Sequence, residues 1–117
     1  FLVNACADLY NPKTVRASMG AVFRCPVWAC TLTELRALLT KSGLPLYGAA
    51  LREDTVDARQ ADLARCAVAI GSEGKGLSAE VLEACDLTVK IPMSDHCESL
   101  NAAAAAAVLL WEAARDD

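Results

Sequence analysis

The chain has 117 residues, a formal net charge of −4 at pH 7 and 55% hydrophobic residues. This length suits one compact domain, and the apolar content excludes a chain that stays disordered. No apolar stretch approaches the roughly 20 residues that a membrane span needs, so no membrane partner is expected. The net negative charge is unfavourable for binding nucleic acid, because contacts with phosphate groups need Lys and Arg. Either a basic surface lies outside these residues, or they bind a cofactor more than nucleic acid.

The chain begins with Phe1, so we expect a single domain, residues 1–117, that is truncated at its N-terminus. Residues 1–5 lack a basic segment and a cleavage site, which favours a strand or loop over a signal peptide. Six cysteines are scattered through apolar segments without a Cys-x-x-Cys pair. This pattern favours reduced, mostly buried thiols in a cytoplasmic protein over a disulfide scaffold.

The first half of the chain predicts one clear helix and one strand. Residues 21–27 favour a loop or a short helical turn before Pro26. A helix follows, capped by Thr31 or Thr33 and closed at residues 42–43, with three leucines on one face: Leu35, Leu38 and Leu39. Residues 46–51 are predicted as a strand and residues 52–54 as a polar loop.

The second half alternates strands and helices. Residues 66–70 are predicted as a buried strand that ends in a glycine-rich turn, and Ser78 as the cap of the next helix. That helix has Glu80 and Glu83 in its early turns and an apolar side formed by Leu77, Val81 and Leu82. Residues 87–91 form another predicted strand, and the last helix begins at Ser99 or Asn101 and ends near Ala114.

Continuous apolar strands bounded by helices indicate an α/β fold with a parallel sheet and helices on both of its faces. The alanine run at residues 102–107 is typical of a helix that approaches a neighbour closely, since Ala has little bulk. Trp28 and Trp111 are interpreted as core or interface anchors rather than as platforms for stacking bases.

The turn at residues 70–77, Ile-Gly-Ser-Glu-Gly-Lys-Gly-Leu, is the first candidate site. Three glycines directly after a buried strand allow positive φ angles and close approach to a ligand, and parallel sheets bind ligands at the carboxyl ends of their strands. Neither the nucleotide-triphosphate pattern nor the dinucleotide pattern of glycines is met. Taken alone, the turn is also compatible with a strand-to-helix connection that binds nothing.

Further motifs accompany this turn in a characteristic order. Residues 16–21 read Arg-Ala-Ser-Met-Gly-Ala, residues 91–93 read Ile-Pro-Met, and residues 99–103 read Ser-Leu-Asn-Ala-Ala. Together with the glycine-rich turn, and over nearly the whole chain, they resemble the SpoU/TrmH-type methyltransferases of the SPOUT class, which methylate the ribose 2′-hydroxyl of RNA.

The resemblance implies a parallel α/β sheet whose C-terminal segment forms a trefoil knot, an exception to the rule against threaded chains. It implies S-adenosylmethionine bound in that knot, methyl transfer to tRNA or rRNA, and a homodimer through the C-terminal helix. Backbone groups of tight loops would hold the cofactor, with apolar side chains as walls.

Carried onto matching positions, the resemblance assigns three groups of residues. Support of the reaction falls to Glu73, Ser99 and Asn101. RNA contact falls to Arg16 and Ser18. Cofactor binding falls to Leu46, Tyr47, Gly48, Ala49, Gly71, Glu73, Gly74, Ile91, Met93, Ser99 and Leu100.

Some features leave alternatives open. The arginine that the family places in an N-terminal Asn-x-Gly-x-x-x-Arg motif has no match here, so these residues alone are expected to be inactive. A non-catalytic module that binds cofactor or RNA, or a dimerisation piece, is the alternative. The cluster at residues 95–98, Asp-His-Cys-Glu, is not expected to hold a metal, because consecutive side chains point in different directions.

Overall fold

The computed structural model describes residues 1–3, 10–17, 19, 23–72, 75–93 and 101–115. The chain divides into two compact units, Phe1–Leu38 and Leu39–Asp117. The first unit holds the strands β1 (Leu2–Val3) and β2 (Ala29–Cys30), which pair in parallel, and the helix α1 (Pro12–Ala17). α1 was not predicted, although it has an ordinary start: the Lys13 N–H donates to Asn11 Oδ1 at 2.9 Å, and proline occupies the first helical position.

The predicted first helix is present as α2 (Leu32–Ser42). Thr31, and not Thr33, caps it. The Glu34 N–H donates to Thr31 Oγ1 and the Thr31 N–H donates to Glu34 Oε1, both at 3.1 Å, which is a capping box. Gly43, with φ of 69°, follows its last turn as expected. The predicted leucine face is wrong at Leu38, which is 43% exposed, whereas Leu35 and Leu39 are buried.

The second unit contains a four-stranded parallel sheet, which confirms the predicted parallel sheet of an α/β fold. The strands are β3 (Leu46–Ala49), β4 (Val56–Asp57), β5 (Ala67–Ala69) and β6 (Leu87–Lys90), in the order β4-β6-β3-β5. Every pairing between them is parallel. β3, β5 and β6 are slightly shorter than predicted. β4 and two 3₁₀ turns, Ala58–Gln60 and Leu63–Arg65, were not predicted.

Different helices cover the two faces of this sheet. α4 (Ala102–Ala114) covers one face, where its Leu109 joins Val89 of β6 in a buried cluster. On the other face, a Cβ built on Gly48 would lie 2.7 Å from the Sγ atom of Cys85, which caps α3 (Ala79–Ala84). Ser78 caps α3 as predicted, because its hydroxyl accepts from the Val81 N–H.

The burial expectations need two corrections. Of the cysteines in the described ranges, Cys25 is exposed and the others are only partly buried, although none forms a disulfide. Cys6 and Cys97 lie outside the described residues. Trp28 and Trp111 are 58% and 73% exposed, so neither belongs to the core. Within the described ranges, no helix has the length and apolarity for crossing a bilayer, and no cluster of metal-ligating side chains occurs.

Candidate functional site

The loops that follow β3, β5 and β6 define one edge of the sheet. Their described residues are 50–55, 70–72, 75–78 and 91–93. Because these strands are adjacent and parallel, their carboxyl ends lie at the same edge, which is where parallel α/β sheets bind ligands. We call this region the carboxyl edge.

The glycine-rich turn after β5 is closed on itself. The Gly76 N–H donates to the Ser72 carbonyl oxygen at 2.8 Å, and Gly76 has φ of 66°. A Cβ built on Gly71 would overlap the carbonyl group of Gly76. Both glycines are therefore required by the path of the turn itself. Glu73 and Gly74, predicted as ligand-binding residues, lie outside the described residues.

The loop after β3 is held by Thr55, for which the sequence predicted no role. Its hydroxyl oxygen accepts from the Arg52 N–H at 2.7 Å and lies 2.7 Å from the hydroxyl oxygen of Thr88, a buried residue of β6. It also donates to the Ala50 carbonyl oxygen at 3.2 Å. The only sequence signal was a polar residue inside the apolar strand at residues 87–91, and that signal does not identify a partner.

Apolar side chains follow the strands at the carboxyl edge. Ile91 is partly buried and packs against the core cluster, whereas Met93 is exposed. Leu51, after β3, and Ile70, after β5, are exposed as well. Exposed apolar groups beside a closed backbone turn suit a ligand with an aromatic ring and polar edges.

The four predicted residues of β3 occupy different environments. Leu46 begins the strand far from the carboxyl edge, and both its N–H and its carbonyl group bond to Asp86, at 2.8 and 2.7 Å. Gly48 packs towards Cys85, and Tyr47 packs against the core cluster. Ala49 ends the strand and is the one closest to the loops. Their role in ligand binding stays a prediction.

Asn101 caps α4 and is one of the two residues at which the sequence predicted this helix to begin. Its Oδ1 atom accepts from the Ala104 N–H at 2.7 Å, and its carbonyl oxygen accepts from the Ala105 N–H at 2.9 Å. The Nδ2 group is the hydrogen-bond donor of this side chain and takes no part in the cap. Ser99 and Leu100 lie outside the described residues, so the structure does not test their predicted roles.

Several groups near the sheet have shifted pKa values. Burial, followed by the nearby ionisable groups Cys66, Asp62 and Asp86, raises the pKa of Tyr47. Burial also raises the pKa of the Cys66 thiol, so both groups are protonated at neutral pH and neither acts as a base. The hydrogen bonds from the Arg59 side chain and backbone lower the pKa of Asp57 to about 2.

Arg16, one of the two predicted RNA-contacting residues, is exposed in the last turn of α1. The other, Ser18, lies outside the described residues. Arg16 belongs to the first compact unit, whereas the carboxyl edge belongs to the second.

Known proteins resemble this chain over nearly its full length. Residues 1–111 match the SpoU rRNA Methylase family. A 23S rRNA (guanosine(2553)-2′-O)-methyltransferase of Bacillus subtilis is 34% identical over 110 residues, which cover 94% of this chain and 44% of that protein. A tRNA (guanosine(18)-2′-O)-methyltransferase of Thermus thermophilus is 44% identical over 85 residues, with 72% and 44% covered.

Solved structures give the same result. The SpoU methyltransferase AviRb from Streptomyces viridochromogenes, in complex with AdoMet, superposes with a TM-score of 0.86 at 33% identity, covering 98% of this chain and 48% of that one. The chain thus spans less than half the length of these relatives. On the match over residues 1–111, this chain belongs to the SpoU rRNA Methylase family.

Proposed function

We propose that the protein carrying this chain transfers the methyl group of S-adenosylmethionine to a ribose 2′-hydroxyl of tRNA or rRNA, and that these residues bind the cofactor. The observation that carries the proposal is the superposition on a SpoU methyltransferase in complex with AdoMet, with a TM-score of 0.86 over 98% of the chain. The names of the two relatives, which specify 2′-O-methylation of rRNA and of tRNA, support the substrate class.

The carboxyl edge has the chemistry that this cofactor requires. Adenine needs apolar surfaces on its faces and hydrogen-bonding groups at its edge. Leu51, Ile70, Ile91 and Met93 would supply the surfaces, and the closed turn after Ile70 would supply backbone groups. We assign cofactor binding to the residues that the sequence predicted: Leu46, Tyr47, Gly48, Ala49, Gly71, Glu73, Gly74, Ile91, Met93, Ser99 and Leu100.

The protein's part in the reaction is mainly alignment. S-adenosylmethionine supplies a methyl group that is already activated by its sulfonium. The protein must hold the ribose hydroxyl in line with that group and help to remove its proton. We assign support of this step to Glu73, Ser99 and Asn101. For Asn101 the Nδ2 group is the one assigned, because Oδ1 is engaged in the cap of α4.

We further propose that the C-terminal segment is threaded as a trefoil knot, which is an exception among protein folds. The parallel sheet and the superposition on SpoU methyltransferases support this arrangement. A crystal structure with bound cofactor tests it: a C-terminal segment that does not pass through a loop contradicts the proposal.

A homodimer through α4 is the quaternary structure that we propose. The outward side of this helix carries Ala103, Ala107, Leu110 and Trp111, all exposed. A helix that has apolar residues on its exposed side as well as on its buried side is normally covered by protein. Sedimentation equilibrium tests this dimer.

We assign RNA contact to Arg16 and Ser18 and a cytoplasmic location to the protein. The exposure of Arg16 supports the first assignment. The described cysteines, none of which forms a disulfide, support the second, since disulfides mark oxidising compartments. Substitution Arg16→Ala should weaken RNA binding and leave cofactor affinity unchanged.

Calorimetric titration with S-adenosylmethionine tests the site, with ATP as the control ligand. Saturable binding of S-adenosylmethionine alone is expected, and no binding contradicts the proposal. Methyl transfer to bulk RNA by the full-length protein, with the modified sugar mapped, tests the reaction. Cofactor binding without methyl transfer would favour the alternative, a non-catalytic module.

A further inference from the structure

Thr88 is the one buried polar side chain in the described part of the chain, with 5% of its surface exposed. It lies on β6, an inner strand of the sheet, and pairs in register with Gly48. Its hydroxyl meets the Thr55 hydroxyl at 2.7 Å. Either hydroxyl can be the donor in this contact, and the Thr55 hydroxyl also hydrogen-bonds to the Ala50 carbonyl oxygen at 3.2 Å.

Thr55 and Thr88 join the loop at residues 50–55 to the strand that the loop must cross. Ala49 and Val56 both pair in register with Val89, on opposite sides of β6. The loop therefore leaves β3 and enters β4 at the same level of the sheet, beside the carboxyl end of β6. Thr55 accepts from the Arg52 N–H and donates to Ala50, so one side chain fixes both ends of the turn and links it to Thr88.

Stability alone does not explain this pair. A valine at position 88 has the shape of threonine and has no polar group to bury. Replacing a buried hydroxyl by an apolar group of the same shape is often nearly neutral when no unsatisfied partner is left, and Thr55 would keep its bonds to Ala50 and Arg52. The Thr88 hydroxyl adds a directional hydrogen bond to Thr55, and this bond allows one placement of the loop at residues 50–55 over β6.

We propose that the Thr55–Thr88 hydroxyl pair is a positioning device that holds the loop at residues 50–55 in the conformation that receives S-adenosylmethionine. This inference rests on the proposed function, in which the cofactor lies at the carboxyl edge. Neither threonine needs to contact the cofactor. The pair acts through the backbone of the loop and through the exposed Leu51 that the loop carries.

The test is a set of matched variants: Thr88→Val, Thr55→Val, the double variant, and Thr88→Ser, which keeps the hydroxyl. Thr33→Val, at an exposed position of α2, is the control. Cofactor affinity is measured by calorimetry at a temperature where every variant is folded, together with thermal unfolding and hydrogen exchange of the Arg52 amide.

We expect Thr88→Val to weaken cofactor binding about tenfold, the scale of one lost hydrogen bond, with little change in unfolding temperature and faster exchange at Arg52. Thr88→Ser and Thr33→Val should bind as the wild type does. The double variant should bind no more weakly than the weaker single variant, because either change breaks the same link.

The outcomes separate the two proposals. If the wild type does not bind S-adenosylmethionine, the proposed function fails and this inference fails with it. If the wild type and Thr88→Val bind equally well, the positioning role alone is overturned. Equal losses for Thr88→Val and Thr88→Ser would also overturn it, because they would place the effect in packing and not in the hydroxyl.

Discussion

Gly71 shows how a glycine can be required by the chain's own path. A Cβ at this position would overlap the backbone of Gly76, which cannot move without opening the turn. Gly43 also has a conformation that favours glycine, with φ of 69°, but it has open space around it. An alanine at position 71 therefore tests steric overlap, whereas an alanine at position 43 tests backbone strain.

We predict that Gly71→Ala lowers the free energy of unfolding by roughly 3 kcal/mol and that Gly43→Ala lowers it by about 1 kcal/mol. Urea unfolding monitored by circular dichroism measures both values. Equal losses of unfolding free energy in the two variants would contradict the steric overlap at Gly71. Because the turn must open, Gly71→Ala should also abolish cofactor binding, whereas Gly43→Ala should leave it intact.

Asp57 provides a prediction about acid stability. The hydrogen bonds from Arg59 lower its pKa from 3.8 to about 2 in the folded protein. A lowered pKa means that the stabilisation is complete above about pH 4, where the unfolded carboxyl is also ionised, and is lost as the pH falls through about 2. The contribution is small, because the Arg59 side chain is largely exposed.

Substitution Asp57→Asn should therefore flatten the dependence of unfolding free energy on pH between about 4 and 2. Urea unfolding at a series of pH values measures this slope. Asp54→Asn, in the exposed loop after β3, is the control for the loss of one surface carboxylate. A variant and a wild type with the same slope would show that the Asp57–Arg59 pair does not stabilise the fold.

At the level of helices and strands, the sequence predicted elements that have both an apolar pattern and a local start signal. Thr31, Ser78 and Asn101 cap the three helices that were predicted. The segment at residues 56–65 was missed, because its two-residue strand and short 3₁₀ turns have no helical or alternating period. Those turns begin at Asp57 and Asp62, whose side chains cap them, and aspartate is also common in loops.

The cap of α4 can be separated from the proposed role of Asn101 in the site. Asn101→Ala removes both and should lower the free energy of unfolding by about 1 kcal/mol. Asn101→Asp keeps a capping oxygen and replaces the Nδ2 group, so we expect wild-type stability with impaired methyl transfer. Thr31→Ala is the control: it removes the cap of α2, outside the carboxyl edge, and should leave methyl transfer intact in the folded protein. Full activity of Asn101→Asp would leave Asn101 with a structural role only.

Over the whole chain, the candidate site combines what sequence motifs predict with what they cannot. The glycine-rich turn and the start of α4 were recognised because each is a short contiguous pattern. The Thr55–Thr88 pair was missed because the two residues are 33 positions apart and neither belongs to a motif. A parallel sheet brings such distant residues together through its strand order, β4-β6-β3-β5, which the sequence pattern did not predict.

The apolar outward side of α4 leads to the last prediction, which concerns assembly. Leu110 and Trp111 are 70% and 73% exposed on a helix whose other side packs Leu109 into the core. Exposed apolar patches of this kind mark interaction sites in soluble proteins. Substituting both residues with glutamate should therefore disrupt a dimer and change the stability of the single subunit by only about 0.5 kcal/mol for each position.

Sedimentation equilibrium over a range of concentrations measures this effect. The wild type should sediment as a dimer, and its unfolding temperature should rise with concentration, because association stabilises the folded state. The Leu110→Glu/Trp111→Glu variant should sediment as a monomer whose unfolding temperature is independent of concentration. Met19→Glu changes an exposed apolar residue outside α4 and should remain a dimer. A wild type that is monomeric at every concentration would contradict the dimer, and a dimeric double variant would place the interface on another surface.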